Sequence, residues 1–206
     1  MENKYIVKEL TTVKLEVEKS KFIGIIFPIE SLTDFQNTLE TLKEKYPKAT
    51  HYCYAYIYEN TKKSSDNGEP SGTAGKPILT VLESNNLINT AIVVVRYFGG
   101  TLLGAGRLTR TYLRTAQEAF KNSIKCKLVE KIKVRVTLEI ETYDIFLSFL
   151  KKMHYCVIKT LFNDKIVMDF LVDTDFKKES LNMFLNKVEF VAAVPYLLKT
   201  EVNDDS

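Results

Sequence analysis

The stretch AIVVVRYFGGTLLGAGRLTRTYLRTAQEAF, residues 91–120, constrains this chain more than any other. Ala91 to Val95 is an unbroken apolar run, the pattern of a strand buried on both faces. Arg96, Tyr97 and Phe98 end the run, and Gly99, Gly100, Gly104 and Gly106 lead into a helical pattern. A helix start carries backbone N–H groups without intrahelical partners, and its dipole favours negative charge. Strand, glycine turn and basic helix together make a geometry that receives anions. Four of the five arginines (Arg96, Arg107, Arg110, Arg114) lie here, as do the last four of the eight glycines. The guanidinium fork, which suits phosphate, is therefore concentrated where the backbone can approach a ligand closely.

Charge supports this division of the chain. Residues 1–125 hold 17 Lys/Arg against 13 Asp/Glu, and residues 126–206 hold 12 against 13, so the positive surplus belongs to the first part. With 206 residues the chain can form one large domain or two of about 100 each. Its 45% hydrophobic content is globular, and no apolar run reaches the ~18 residues of a membrane span. The opening MENKYIVKEL has no apolar signal core, so the expected address is the cytoplasm. Cys53, Cys126 and Cys156 are an odd, scattered set, expected as reduced thiols. Without paired cysteines, and with two histidines, no metal site and no cofactor are expected.

Taken in order, Tyr5–Glu18 alternates as a strand, with Val13, Leu15 and Val17 on one side. Phe22–Ile29 completes a hairpin. Ser31–Tyr46 switches to helical spacing, with Ser31 as cap and Pro47 as stop. His51–Glu59 is a strand with Tyr52, Tyr54, Tyr56 and Tyr58 on one face. Residues 60–77, rich in Gly, Pro and Ser, read as one long loop, and Pro77–Asn85 as a short helix with proline first. The basic helix ends near Ser123.

From Lys127 the pattern restarts. Lys127–Ile140 reads as a strand, Thr142–Lys152 as a helix, Tyr155–Phe162 and Ile166–Val172 as a hairpin. Thr174–Asn186 reads as a capped helix and Val188–Leu198 as a strand, before a polar tail at 201–206. The predicted fold is thus two-domain α+β: an α/β domain over 1–125, then a ferredoxin-like βαββαβ domain over 126–206.

Several chemistries fail on spacing. A phosphate loop needs G-x4-G-K-[ST], but Gly68 and Gly72 are misplaced relative to Gly75-Lys76, and Pro77 follows the lysine. Gly104-Ala105-Gly106 puts Thr109 where a dinucleotide fold wants glycine, with no acidic residue near 125. His51 and Cys53 share a strand face ~7 Å apart, loose for activating a nucleophile, so a core cysteine is favoured. Asp66, Glu69 and Ser71 form a candidate loop site, either for a cation and acid/base work or merely capping glycine turns.

The basic helix fits better. Arg107, Arg110, Arg114 and Lys121 line one stripe, while Leu108, Tyr112, Thr115 and Ala119 form a core face. Together with Arg96, Tyr97, Gly99, Gly100 and Lys76 they form a candidate nucleic-acid or anion surface. The competing structural reading has Gly99 and Gly100 shaping a turn and Arg96 pairing with Glu69 or Asp66.

KSKFIG (19–24), HYCYAY (51–56), SDNGEPSGTAGKPIL (65–79) and VVVRYFGGTLLGAG (93–106) together resemble the motifs of the IMPACT/YigZ family, in the right order. The second domain resembles its bacterial members by position and pattern only. The resemblance implies a first domain like domain IV of elongation factor G and the second domain of a small-subunit ribosomal protein. It implies a second domain like domain III or V of that factor. By analogy of fold, the expected partners are nucleic acid (RNA in preference to DNA), the ribosome or translation factors, with no membrane. No family catalytic residue carries over, and Arg107 departs from the glycine that many members have there. The resulting expectation is a non-enzymatic, translation-associated binding protein. Its alternatives are an enzyme for an anionic small molecule and a protein-interaction regulator.

Overall fold

The computed structural model describes residues 4–184 and 187–202, which form two units. The first comprises residues 4–128 and 199–202, the second residues 129–198.

In the first unit, the apolar run becomes β6 (Thr90–Tyr97) at the centre of an antiparallel sheet. It lies between β3 (Ser20–Pro28) and β4 (His51–Tyr58); β2 (Thr11–Val17) and β5 (Thr61–Ser65) form the edges. Every residue from Thr90 to Arg96 is buried because helices cover both faces. Helix α1 (Leu32–Lys45) packs Phe35 and Leu42 against Ile25, Val93 and Val95 on one face. Helices α2 (Gly75–Ser84) and α3 (Ala105–Lys121) pack Ile78, Leu108 and Tyr112 against Phe22, Ile92 and Val94 on the other. Each such buried side chain contributes about 1.5–3 kcal/mol.

Local signals explain the helix ends. The Ser31 hydroxyl accepts from the Asp34 N–H at 3.0 Å, and α1 stops before Pro47. Helix α2 starts at Gly75, two residues ahead of the expected Pro77; proline is tolerated throughout a first turn, where N–H groups lack intrahelical acceptors.

Two expectations for the first unit need correction. Tyr5–Glu18 is two strands, β1 (Lys4–Val7) and β2, because Lys8, Glu9 and Leu10 are all exposed and break the alternation. Strand β1 pairs with residues 125–128 of β7 (Lys125–Leu138). The supposed 60–77 loop contains β5, whose lysines and serines conceal its strand character.

The second unit has the strand order β10-β7-β9-β8, with β8 at Cys156–Phe162, β9 at Ile166–Val172 and β10 at Val188–Glu201. Helix α4 (Tyr143–Lys152) places Phe146 against Phe170 and Phe184, ring centroids 5.9 and 5.1 Å apart. The expected helix at 174–186 is instead a 3₁₀ segment, Lys178–Phe184, whose three-residue spacing puts Leu181 and Phe184 into the core. Asn186 and the tail beyond Val202 lie outside the described residues.

Candidate nucleic-acid interface

At the end of β6 the period of two separates neighbouring side chains. Arg96 points to the α2/α3 face and Tyr97 to the α1 face. Arg96 is 4% exposed and does not reach an anion-facing surface. Its Nη1 donates to Glu69 Oε1 at 2.6 Å, with both side chains buried. The same oxygen accepts from the Tyr112 hydroxyl at 2.7 Å. Arg96 Nη2 lies 3.4 Å from Ser20 Oγ, which also accepts from the Gly99 N–H at 3.1 Å. Arg96 Nε has no hydrogen-bond partner among the described residues, but the guanidinium carbon lies 5.2 and 5.4 Å from the Phe22 and Phe98 ring centroids. Those ring faces offset part of the cost of burying the charge.

His51 borders this cluster. Its Nδ1 is 2.8 Å from the Asn67 carbonyl, so Nδ1 carries the proton and donates. That leaves Nε2 facing Glu69 Oε2 at 3.7 Å. The Cys53 thiol donates to the Asp66 carbonyl at 2.9 Å and lies 3.3 Å from the Tyr112 hydroxyl. Burial pushes the Cys53 thiol up to about 12 and raises the Tyr112 hydroxyl above its usual range. A thiol held protonated is no nucleophile, in keeping with the core reading of Cys53.

The loop carboxylates are spent on the fold. Asp66 Oδ1 accepts from the Ala74 and Gly75 N–H groups (2.9 and 2.8 Å), and Oδ2 from the Gly72 N–H (2.8 Å). Helix α2 has no local side-chain cap, so Asp66 supplies one from eight and nine residues upstream. Burial alone would raise its carboxyl; the three backbone donors outweigh that and hold it below the usual carboxylate range. Ser71 stands exposed on the same loop, with no hydrogen bond among the described residues. The described residues contain no cluster of three or more metal-ligating side chains.

The glycines divide likewise. A Cβ on Gly99 would lie 2.1 Å from the Lys19 backbone carbon, so this close approach serves the β2–β3 turn. Gly100 has φ +87° and open space around it. Tyr97 packs beside the α1-face core and donates to the Pro47 carbonyl at 3.2 Å, away from the α3 start.

What remains on the surface is α3. Its N-terminus has no side-chain cap and no acidic residue in the first turn. Arg107, Arg110, Arg114 and Lys121 are exposed along its outer stripe, while Leu108, Tyr112, Thr115 and Ala119 are buried. Arg107 pairs with exposed Glu18 at 2.8 Å; Arg110 and Arg114 make no ion pair among the described residues. Lys76 is exposed in the first turn of α2. Sequence reasoning missed Ser20 and Tyr112 as partners of the Arg96–Glu69 pair. For Tyr112 the one signal was a hydroxyl on an otherwise core-facing stripe; Ser20, between Lys19 and Lys21, carried none.

Comparison with known proteins adds the family. Residues 18–120, half of the chain and the span holding the Arg96–Glu69 cluster, match the Impact N-terminal domain. The IMPACT family member YvyE of Bacillus subtilis is 39% identical over 121 residues, covering 57% of this chain and 56% of that protein. An IMPACT family member of Haemophilus influenzae is 41% identical over 129 residues, covering 60% of each. The chain thus matches under two thirds of the length of these relatives. A crystal structure of a hypothetical protein aligns over 93% of this chain and 98% of its own with a TM-score of 0.62. At 24% identity that likeness speaks for the fold alone. With half its length matched to the defining domain and bacterial members about two fifths identical, the chain belongs to the IMPACT family.

Proposed function

We propose that this protein is a non-enzymatic, translation-associated binder of RNA or of an RNA-rich assembly such as the ribosome, acting in the cytoplasm. The exposed stripe of α3 carries the reading: Arg110, Arg114 and Lys121 have no ion pair among the described residues, and Arg107 has a solvent-exposed one. Solvated arginines along one helix face are suited to phosphates, which supply most of the affinity in such complexes. Lys76 adds charge, and Gly100 leaves open backbone near the helix start. The strand order β10-β7-β9-β8 supports a ferredoxin-like second unit, and the resemblance of the first to domain IV of elongation factor G points the same way. An enzyme using Asp66 and Glu69 is disfavoured, because the first caps α2 and the second neutralises Arg96. Among the described residues no helix is long and apolar enough to cross a membrane.

A second reading is a protein-interaction regulator. Leu102 is 87% exposed and Phe98 43% exposed on the loop leading into α3. The exposed Leu102 on this loop is the observation that favours it. Titration against labelled single- and double-stranded RNA and DNA at several salt concentrations separates the two. RNA binding that weakens with salt at a log–log slope of about −2 to −5 upholds the first reading. No binding below about 100 μM at low salt overturns it in favour of the second.

A further inference from the structure

We propose that the cleft between α1 and strands β4 and β5 binds a flat ring carrying an anionic group, a nucleotide being its simplest form. The cleft has a volume of about 560 Å³, within the range of small-molecule sites. It exists because α1 covers the sheet face only as far as β4, leaving the cleft between the helix and edge strand β5. Its walls are Leu32, Phe35 and Leu39 from one stripe of α1; its floor is Tyr54 and Tyr56 of β4 and Lys63 of β5.

The chemistry of the lining selects the ligand. The Tyr54 and Tyr56 rings are parallel to within 5°, centroids 6.4 Å apart, and Phe35 sits 5.1 and 4.7 Å from them. Phe35 and Tyr56 are 4% and 6% exposed and back the cleft from the core, so the half-buried Tyr54 ring presents the face. Such a face stacks on planar groups with little preference for their identity. Both tyrosine hydroxyls lack a hydrogen-bond partner among the described residues, so they are free to meet polar edges. The Lys63 ammonium makes no ion pair there, whereas its neighbour Lys62 is held by Glu83 at 2.7 Å. Glu40, the acidic residue on the rim, is paired with Lys43 at 2.7 Å. The cleft therefore offers one uncommitted, exposed positive charge beside the Tyr54 ring, which favours an anion over a cation. It lies on the sheet face opposite α2 and α3, so it stands independently of the reading of the α3 stripe.

The test is an amide NMR titration of the whole chain with adenosine monophosphate to about 10 mM, a reach suited to weak sites. Adenosine, inorganic phosphate and a single-stranded oligoadenylate run in parallel. The expected result is saturable shifts at residues 32–40, 54–56 and 63, with adenosine and phosphate each binding about tenfold more weakly or worse. Lys63→Glu and Tyr54→Leu should each weaken the nucleotide about tenfold, Lys63→Glu with an unchanged melting temperature. The triple variant Arg107→Ala, Arg110→Ala, Arg114→Ala should leave cleft binding unaltered. Tighter binding of the oligonucleotide assigns the ring to a nucleic-acid chain and tighter binding of the monophosphate to a free nucleotide; either upholds the site. Absent shifts at these residues, or nucleotide affinity indifferent to Lys63→Glu, overturns it.

Discussion

Arg96 and Glu69 meet inside the first unit with a nitrogen–oxygen distance of 2.6 Å, 27 residues apart in sequence and both shielded from water. The contact ties the end of the central strand to the glycine-rich loop before α2. Removing one member of a buried pair strands the other charge. Glu69→Gln is expected to cost about 3–5 kcal/mol in urea denaturation, with most secondary structure retained by circular dichroism. A loss under about 1 kcal/mol shows that water solvates the cluster.

Gly99 and Gly100 are adjacent but differ in kind. Gly99→Ala brings a Cβ within 2.1–2.4 Å of the Lys19 and Ser20 backbone, so the turn must move. Its expected cost is on the order of 2–4 kcal/mol. Gly100→Ala meets no atom and carries only the strain of φ +87°, about 1–2 kcal/mol. Melting temperatures of the two variants check this order.

Asp66 ties stability to pH. Its folded carboxyl lies below the ordinary value, so its contribution is complete above the unfolded value near ~4 and is lost as pH falls through the folded one. Asp66→Ala is expected to cost about 1–2 kcal/mol at neutral pH, as for loss of a helix cap. The difference from the wild type should shrink progressively below pH ~4. A pH-independent difference in denaturation midpoints contradicts the capping role.

Thiol chemistry reports on packing. Cys156 is exposed, while Cys53 and Cys126 are buried with their thiols raised chiefly by burial. Ellman's reagent at pH ~8 is therefore expected to label one thiol promptly in the native protein and three after denaturation. Prompt labelling of Cys53 rules out the closed cluster.

These relationships show which features the sequence makes legible. The central strand, the two faces of α3 and the cap at Ser31 follow from local periodicity and side-chain chemistry, which are written in the residues of each element. The role of Arg96 does not follow from them. A strand-end arginine beside glycines has the same pattern whether it faces water or a buried carboxylate, and only the fold of the 66–75 loop decides. Asp66 is similar: a cap supplied from eight residues upstream leaves no local signature at Ala74. Strand β5 escaped because TKKSS owes its conformation to pairing with β4 and scarcely to its own propensity.

The central claim is that the outer stripe of α3 contacts phosphates. The most direct measurement is the salt dependence of single-stranded RNA binding by the wild type and by the Arg107→Ala, Arg110→Ala, Arg114→Ala variant. If the three side chains meet phosphates, the variant's log–log slope should be shallower by about two to three units, with its melting temperature unchanged. Equal slopes for the two proteins contradict the account.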